Sequence, residues 1–308
     1  MENQRSKRVG VAYGLAAYLS WGFVPLYFKA VGQVPSLEVL CHRIVWSLVF
    51  LLALTFSRGK WGEFTTLLKN SRTRAVLAVT TGLIAINWGV FIWAIANDRL
   101  VEASLGYFIN PLVNVVLGFI FLRERLRPLQ TAAVLLAAGG IVWMTVSYGH
   151  PPLISMILAV SFGFYGLLRK ELPASGIQGL TAETFLLAPV ALAWMGWRLS
   201  RGDLVFLHRE LRLDGLLVAA GMITALPLIW FAEAARRLRL ATMGFLQYLA
   251  PSFQLLLAVA VFGEPFTHDH AVSFGLIWAA LALYTIDTLR GMRGGRGPRG
   301  RARPTAGI

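Results

Sequence analysis

LVEASLGYFINPLVNVVLGFIFLRERLRP, residues Leu100 to Pro128, has a second, weaker copy further along the chain. At an offset of 140 residues, Arg99, Leu100, Pro111, Leu117 and Glu124 fall on Arg239, Leu240, Pro251, Leu257 and Glu264 without a gap. Each copy is an apolar run of about 22 residues, the length that crosses the hydrocarbon of a bilayer. Each carries a proline near its middle, where it removes one backbone hydrogen bond and crowds the preceding turn. In lipid the freed carbonyl needs a partner from protein or trapped water. Proline is frequent in membrane helices generally, but matched interruptions in two halves of a chain point to a transporter's midplane binding site.

The composition agrees with a membrane protein. Of 308 residues, 56% are hydrophobic and 14% charged, against about 25% charged in an average soluble chain. Mean hydropathy is +0.63. The one cysteine, Cys41, lies in an apolar run and has no partner for an intrachain disulfide. The net charge of +14, from 29 Lys and Arg against 15 Asp and Glu, would suggest nucleic acid in a soluble protein. In a membrane protein the placement of the charges matters more. The basic start, MENQRSKR, runs into an apolar stretch without a small-residue cleavage site, which reads as a retained first span.

Apolar runs separated by charged or turn-forming stretches predict ten spans: 9–30, 36–56, 74–96, 100–122, 128–147, 151–168, 179–199, 213–235, 240–262 and 269–289. With this layout 22 Lys and Arg fall on the side of the N-terminus and six on the other, with Arg43 inside a span. Basic residues accumulate on the cytoplasmic side, so both termini are expected to be cytoplasmic. The segment 198–212 is the exception, only partly balanced by Asp203, Glu210 and Asp214. SWGF at Ser20 to Phe23 returns as SFGF at Ser161 to Phe164, so the repeat extends beyond the opening stretch. Five spans per copy is an odd number, and the second copy therefore enters the membrane from the opposite side. The expected fold is an all-α integral membrane protein whose ten transmembrane helices form two inverted five-helix repeats. These are a cytoplasmic N-terminus over 1–8, a first repeat over 9–148, a second over 149–290, and a disordered basic tail over 291–308. The tail is expected to lie beside anionic lipid and not to bind nucleic acid.

Several stretches together resemble one family: SWGFVPLYFKAV in span one, HRIVWS in span two, LVEASLGYFINPLVNVVLGFIFLRERLR in span four, SFGFYGLLRK in span six and RLRLATMGFLQYLAP leading into span nine. They resemble the RarD subfamily of EamA-domain transporters, within the drug/metabolite transporter superfamily, over roughly residues 7–290. The resemblance implies two EamA repeats, a central cavity built from spans one, three, four, six, eight and nine, and solute export or exchange across a bacterial inner membrane. The subfamily also carries a label linking it to chloramphenicol sensitivity or resistance.

Polar groups inside a bilayer are costly unless paired or wetted, which makes each a functional candidate. For substrate binding the sequence offers Asn87 and Trp93 in span three, Tyr107, Asn110 and Pro111 in span four, Trp230 in span eight, and Gln247, Tyr248 and Pro251 in span nine. Aromatic walls with a few polar groups suit a partly apolar solute of amino-acid or small-drug size. For proton coupling or gating it offers Glu38, His42 and Arg43 in span two and Glu233 in span eight. Glu38 and His42 are four apart and share a helix face; the alternative is that Glu38 marks the outer boundary and Arg43 ties helices together. Trp61, Trp88 and Trp197 are expected in the interfacial belt. Lys29, Arg169 and Lys170 lie near span ends, where they snorkel or gate. Glu183 suits a helix N-terminal dipole, and Glu124 and Glu264 read as structural. In span one, small residues every four positions, Gly10 with Gly14 and Ala12 with Ala16 and Ser20, allow close helix packing, within the chain or in a homodimer.

There is no HExxH, Walker lysine loop, nucleophile elbow or acidic cluster suited to a divalent metal. Two histidines in His268 to His270 are too few ligands for a metal site. The expectation is a secondary transporter without cofactor or metal, whose partners are a small-molecule solute and membrane lipids. The rival is an integral membrane enzyme acting on a lipid or small metabolite.

Overall fold

The computed structural model describes residues 2–293 except 124, 125, 170, 171, 173, 209, 236, 239–242, 244 and 245. All regular structure among the described residues is helical: α1 (Glu2–Ala30), α2 (Ser36–Ser57), α3 (Trp61–Lys69), α4 (Ser71–Ala96), α5 (Leu100–Leu122), α6 (Pro128–Tyr148), α7 (Leu153–Arg169), α8 (Gly176–Ser200), α9 (Leu211–Ala235), α10 (Leu249–Leu256) with a π-helical continuation at Leu257–Val261, and α11 (His268–Arg293). Eight of these are long and apolar enough to cross a membrane, while α7 and Leu249–Val261 are apolar but shorter. Glu124, Lys170, the tail from 294 onward and part of the expected ninth span lie outside the described residues.

Local chemistry sets the helix ends. Asn70 accepts from the Thr73 backbone N–H to start α4, and Ser175 with Gln178 forms a capping box on α8. Pro128 opens α6, where its missing N–H costs nothing. Gly149 closes α6 at φ 72°, a left-handed conformation that favours glycine. Between α1 and α2, Pro35 stands at the N-cap of α2 with a fixed φ of −52° and a non-helical ψ of 132°, and the helix starts at Ser36.

Apolar side chains face both inward and outward. Phe119, Ile120, Leu135, Val146 and Val190 are each more than half exposed; in water such faces would associate, whereas lipid is their natural solvent. Within the bundle α1 packs on α9 and α10, α2 on α8 and α9, α4 and α5 on α7, and α6 on α11. Close approach at two of these crossings depends on glycine. A Cβ on Gly106 would stand 2.7 Å from the Ser155 carbonyl oxygen, and one on Gly221 would stand 2.4 Å from the Trp46 carbonyl carbon and oxygen. The small residues of α1 are likewise used within the chain, with Gly10 against Arg237 and Leu238 and Gly14 against Leu246 and Ala234.

The short helix α3 falls in a stretch that the apolar pattern leaves as a loop. It is amphipathic: Phe64 and Leu67 are buried, and Phe64 joins Leu77, Leu172 and Ala182 in a small satellite core. Its Glu63 accepts a hydrogen bond from Gln178 at the start of α8. Nine residues cannot cross a bilayer, so a search for bilayer-length runs passes over it.

Candidate functional site

Where α1, α2, α4, α5, α7 and α9 meet, a chain of polar contacts runs through otherwise apolar helices. Arg43, about two turns inside the N-terminal end of α2, donates from Nε to Thr224 Oγ1 of α9 at 2.9 Å. Its guanidinium lies 4.1 Å from the ring centroid of Trp88 and 5.6 Å from that of Phe28. The Tyr27 and Tyr107 phenols are the titratable groups that face it. Tyr27 donates to the Leu216 carbonyl at 2.9 Å, and Tyr107 to Asn87 Oδ1 at 3.3 Å. Asn87 in turn donates from Nδ2 to the Leu158 carbonyl and to Ser161 Oγ, both at 3.0 Å. One turn of α5 beyond Tyr107, Asn110 is buried with its Oδ1 unpartnered among the described residues. Pro111 follows it inside a continuous helix.

The site residues expected from the sequence divide into groups. Arg43, Asn87 and Tyr107 come near one another from α2, α4 and α5, and Asn110 and Pro111 follow Tyr107 along α5. Tyr248 instead lines a separate cleft of about 270 Å³ with Phe108, Ser252 and Trp278. Pro251 is buried in the first turn of α10, just after a break in the helix, whereas Pro111 lies in mid-helix. Trp230 and Gln247 are half-buried, and Trp93 is 43% exposed and not among the rings that meet Arg43. Glu233 forms an ion pair with Arg237, just past the end of α9.

Glu38 and His42 are both buried but do not hydrogen-bond to each other. Glu38 Oε1 accepts from the backbone N–H groups of Val205 and Phe206 at 2.9 and 3.1 Å, pinning the α8–α9 loop to α2. His42 Nδ1 accepts from Trp46 Nε1 at 3.2 Å, and the Phe206 ring lies 4.6 Å from the imidazole. Trp88 also departs from expectation: at 7% exposure it belongs to the core beneath Arg43 and not to an interfacial belt.

A second polar cluster went unread in the sequence. Glu183 of α8 is fully buried, accepts from the Tyr165 hydroxyl at 3.0 Å and lies 3.6 Å from Arg169 Nη1. A signal for it existed, because Glu183 stands at the same 140-residue offset from Arg43 that relates the two proline segments.

Asn87→Ala is expected to remove the amide that links α4, α5 and α7, at a cost of about 1–3 kcal/mol for the buried groups left unpaired. Thermal melting of the detergent-solubilised protein checks this. An unchanged melting curve would show that the amide contributes nothing to helix association.

A bundle of bilayer-length apolar helices that walls a polar, aromatic cluster at its centre has the build of a membrane transporter. The EamA-like transporter family model matches residues 8–146. An "Uncharacterized transporter" of Vibrio cholerae serotype O1 is 44% identical over 288 residues, covering 94% of this chain and 95% of that one. The "Protein RarD" of Escherichia coli K12 is 43% identical over 285 residues, covering 92% and 96%. A crystal structure 20% identical in sequence covers 91% of this chain and 98% of its own, with a TM-score of 0.56, a likeness of fold alone. The chain belongs to the EamA-like transporter family, and within it to the RarD subfamily. It is a multi-pass membrane protein.

Proposed function

We propose that this protein is a secondary transporter of the bacterial inner membrane that exports or exchanges a small organic solute by alternating access. The solute is an amino-acid-like metabolite or a drug of that size, such as chloramphenicol. In this reading the chain forms ten spans in two inverted repeats, 9–148 and 149–290, with both termini cytoplasmic. The observation that carries it is a polar cluster within apolar helices, in which Arg43 bonds to Thr224 and the nearby Tyr107 bonds through Asn87 to Ser161, so that each piece joins the two halves. Polar groups held there are costly unless paired or wetted, and Asn110 Oδ1 has no partner among the described residues.

The packing supports the inverted arrangement. If α1, α2, α4, α5 and α6 are exchanged with α7, α8, α9, α10 and α11, the α1–α9 contact becomes α7–α4, α1–α10 becomes α7–α5, and α2–α9 becomes α8–α4, and all six are present. At the end opposite the basic loops, several links between helices hold the bundle shut. Lys29 pairs with Asp98 and lies 5.4 Å from the Phe262 ring, Glu264 caps α5, and Glu38 holds the 205–206 backbone. These links are the gate that must open for a solute to pass on that side, with Lys29, Glu38 and His42 as gating or proton-coupling groups there, and Glu233, paired with Arg237 at the opposite end, as a further coupling group.

Transport by purified protein in liposomes, screened with amino acids and chloramphenicol with and without a pH gradient, tests this. Saturable flux is expected, reduced about tenfold or more in Asn110→Ala and Pro111→Ala, a loss equivalent to about 1.4 kcal/mol. No flux of any solute from folded protein would sink the carrier reading. Unaltered pH-driven uptake in both Glu38→Gln and Glu233→Gln would remove those two groups from coupling.

A further inference from the structure

Arg43 is a cation without an anion. Seven of its fellow basic residues, Lys29, Lys60, Arg99, Arg127, Arg169, Arg198 and Arg237, pair with carboxylates, yet no carboxylate lies within ion-pair distance of Arg43 among the described residues. The nearest acid on its own helix, Glu38, is turned to the Val205 and Phe206 backbone. Only Nε is hydrogen-bonded, to a neutral hydroxyl, so both Nη groups are without a hydrogen-bond acceptor among the described residues. They are not sealed in protein either, since the residue is half-buried and neither Nη belongs to the fully buried, unpartnered atoms of the molecule. Rings hold the plane of the guanidinium, with Trp88 close beneath it and Phe28 further off.

A half-buried charge among apolar helices is costly unless something completes it. The cation–π contacts offset part of the cost, about 1–2 kcal/mol each where solvent is excluded. They also fix the guanidinium plane and leave its two Nη groups free at one edge. A planar fork with two parallel donors matches a carboxylate in bidentate fashion.

We propose that the transported solute carries a carboxylate, which is bound at the Nη edge of Arg43, and that an aromatic or other flat apolar portion of the solute lies against Trp88, Tyr107 and Tyr27. This rests on the carrier reading and narrows its substrate class to anions and zwitterions with an apolar part. Neutral solutes such as chloramphenicol lack the group that this site is built for. Arg43 binds the solute in this assignment and does not act as a helix tie. Thr224, through Nε, is a positioning residue.

The test compares acids with their own amides: benzoate with benzamide, and L-phenylalanine with L-phenylalaninamide. Each is added to purified protein at matched ionic strength, with thermal stabilisation and titration calorimetry as readouts. The acids are expected to bind at least about tenfold more tightly than the amides. That preference should be lost in Arg43→Gln and partly kept in Arg43→Lys, which preserves charge without the fork. Equal binding of acids and amides by the wild-type protein, no binding of either acid, or an acid preference that survives in Arg43→Gln would each overturn the proposal. The acid–amide comparison in the wild-type protein decides even if Arg43→Gln fails to fold. Liposome counterflow with the same four solutes separates this from the carrier reading. Flux of the amides equal to that of the acids keeps the carrier and removes the carboxylate site, flux of none of the four from folded protein overturns the carboxylate site, and the wider screen with amino acids and chloramphenicol then decides the carrier reading.

Discussion

Gly221→Ala is expected to be among the most damaging single-methyl changes in this protein. A Cβ at that position would stand 2.4 Å from the backbone carbonyl of Trp46 and 2.8 Å from the Ser47 nitrogen. Carbon atoms in contact prefer about 3.5–4.0 Å, so α2 and α9 would have to separate by about 1 Å. The obstacle is backbone inside a helix and cannot swing aside as a flexible side chain would. Overpacking of this kind costs about 1–3 kcal/mol, and more where nothing can yield. The consequence reaches the site directly, because Thr224 lies one turn along α9 from Gly221 and holds Arg43 at 2.9 Å from the neighbouring helix. The variant should therefore melt earlier and bind or transport solute more weakly. Gly215→Ala is the control. It lies on the same helix with nothing within 4 Å of its Cβ, so the change should be neutral or stabilising by up to about 1 kcal/mol through helix propensity. A Gly221→Ala protein that melts and functions like the wild type would show that the crossing is looser than its geometry implies.

The parts of this fold that were legible in the sequence are those governed by a single helix. The span expected over 100–122 is the helix Leu100–Leu122, because an apolar run, a charged start and an RER stop define it locally. What the sequence did not disclose are partners that arrive from distant parts of the chain. Glu38 and His42 share a helix face, yet Val205 and Phe206 approach Glu38 from 167 and 168 residues away, and Trp46 takes the imidazole. Trp88 looked like a belt residue until Arg43 of another helix was seen against its ring. Side-chain direction decides between the two, and an apolar run carries no clear sign of it. Asn87, Tyr107 and Asn110 could be read because a polar group among lipid-facing or core residues stands out by chemistry alone. Glu183 has the same chemistry but stands near a helix start, where a carboxylate has an ordinary explanation. Only its offset from Arg43 distinguished it.

Glu264→Ala is expected to unfasten the bundle at the end opposite the basic loops. α5 begins at Leu100 with no side-chain cap of its own from Arg99, and Glu264 supplies the cap from the other half of the chain. Its two carboxylate oxygens accept from the Leu100 and Val101 backbone N–H groups, both at 2.8 Å. The charge also suits the positive end of the helix dipole. The residue stands just after the π-helical turn, where its own N–H reaches the Ala258 carbonyl, so the clamp connects α10 directly to α5. Alanine leaves both donors unpaired in a buried place, at a cost of about 1–3 kcal/mol each; glutamine keeps one acceptor and should lose about half as much. A pH signature accompanies this. Burial raises the Glu264 carboxyl above its ordinary value, opposed by the two backbone N–H groups. A carboxyl raised in the folded state takes up its proton there before it does in the unfolded chain. Its contribution to stability is therefore greatest below the ordinary carboxylate range and falls as pH rises through the elevated value. Melting curves taken upward from the ordinary carboxylate value of about 4.3 should include that slope in the wild-type protein and lack it in Glu264→Gln. In the proposed carrier the same clamp belongs to the gate, so Glu264→Ala should also shift accessibility, measured as faster labelling of a cysteine placed at Ser104, one turn inside α5. Wild-type melting and wild-type labelling in both variants would mean that α5 starts without help from the other half, and the gate would have to be sought at Lys29 and Asp98 instead.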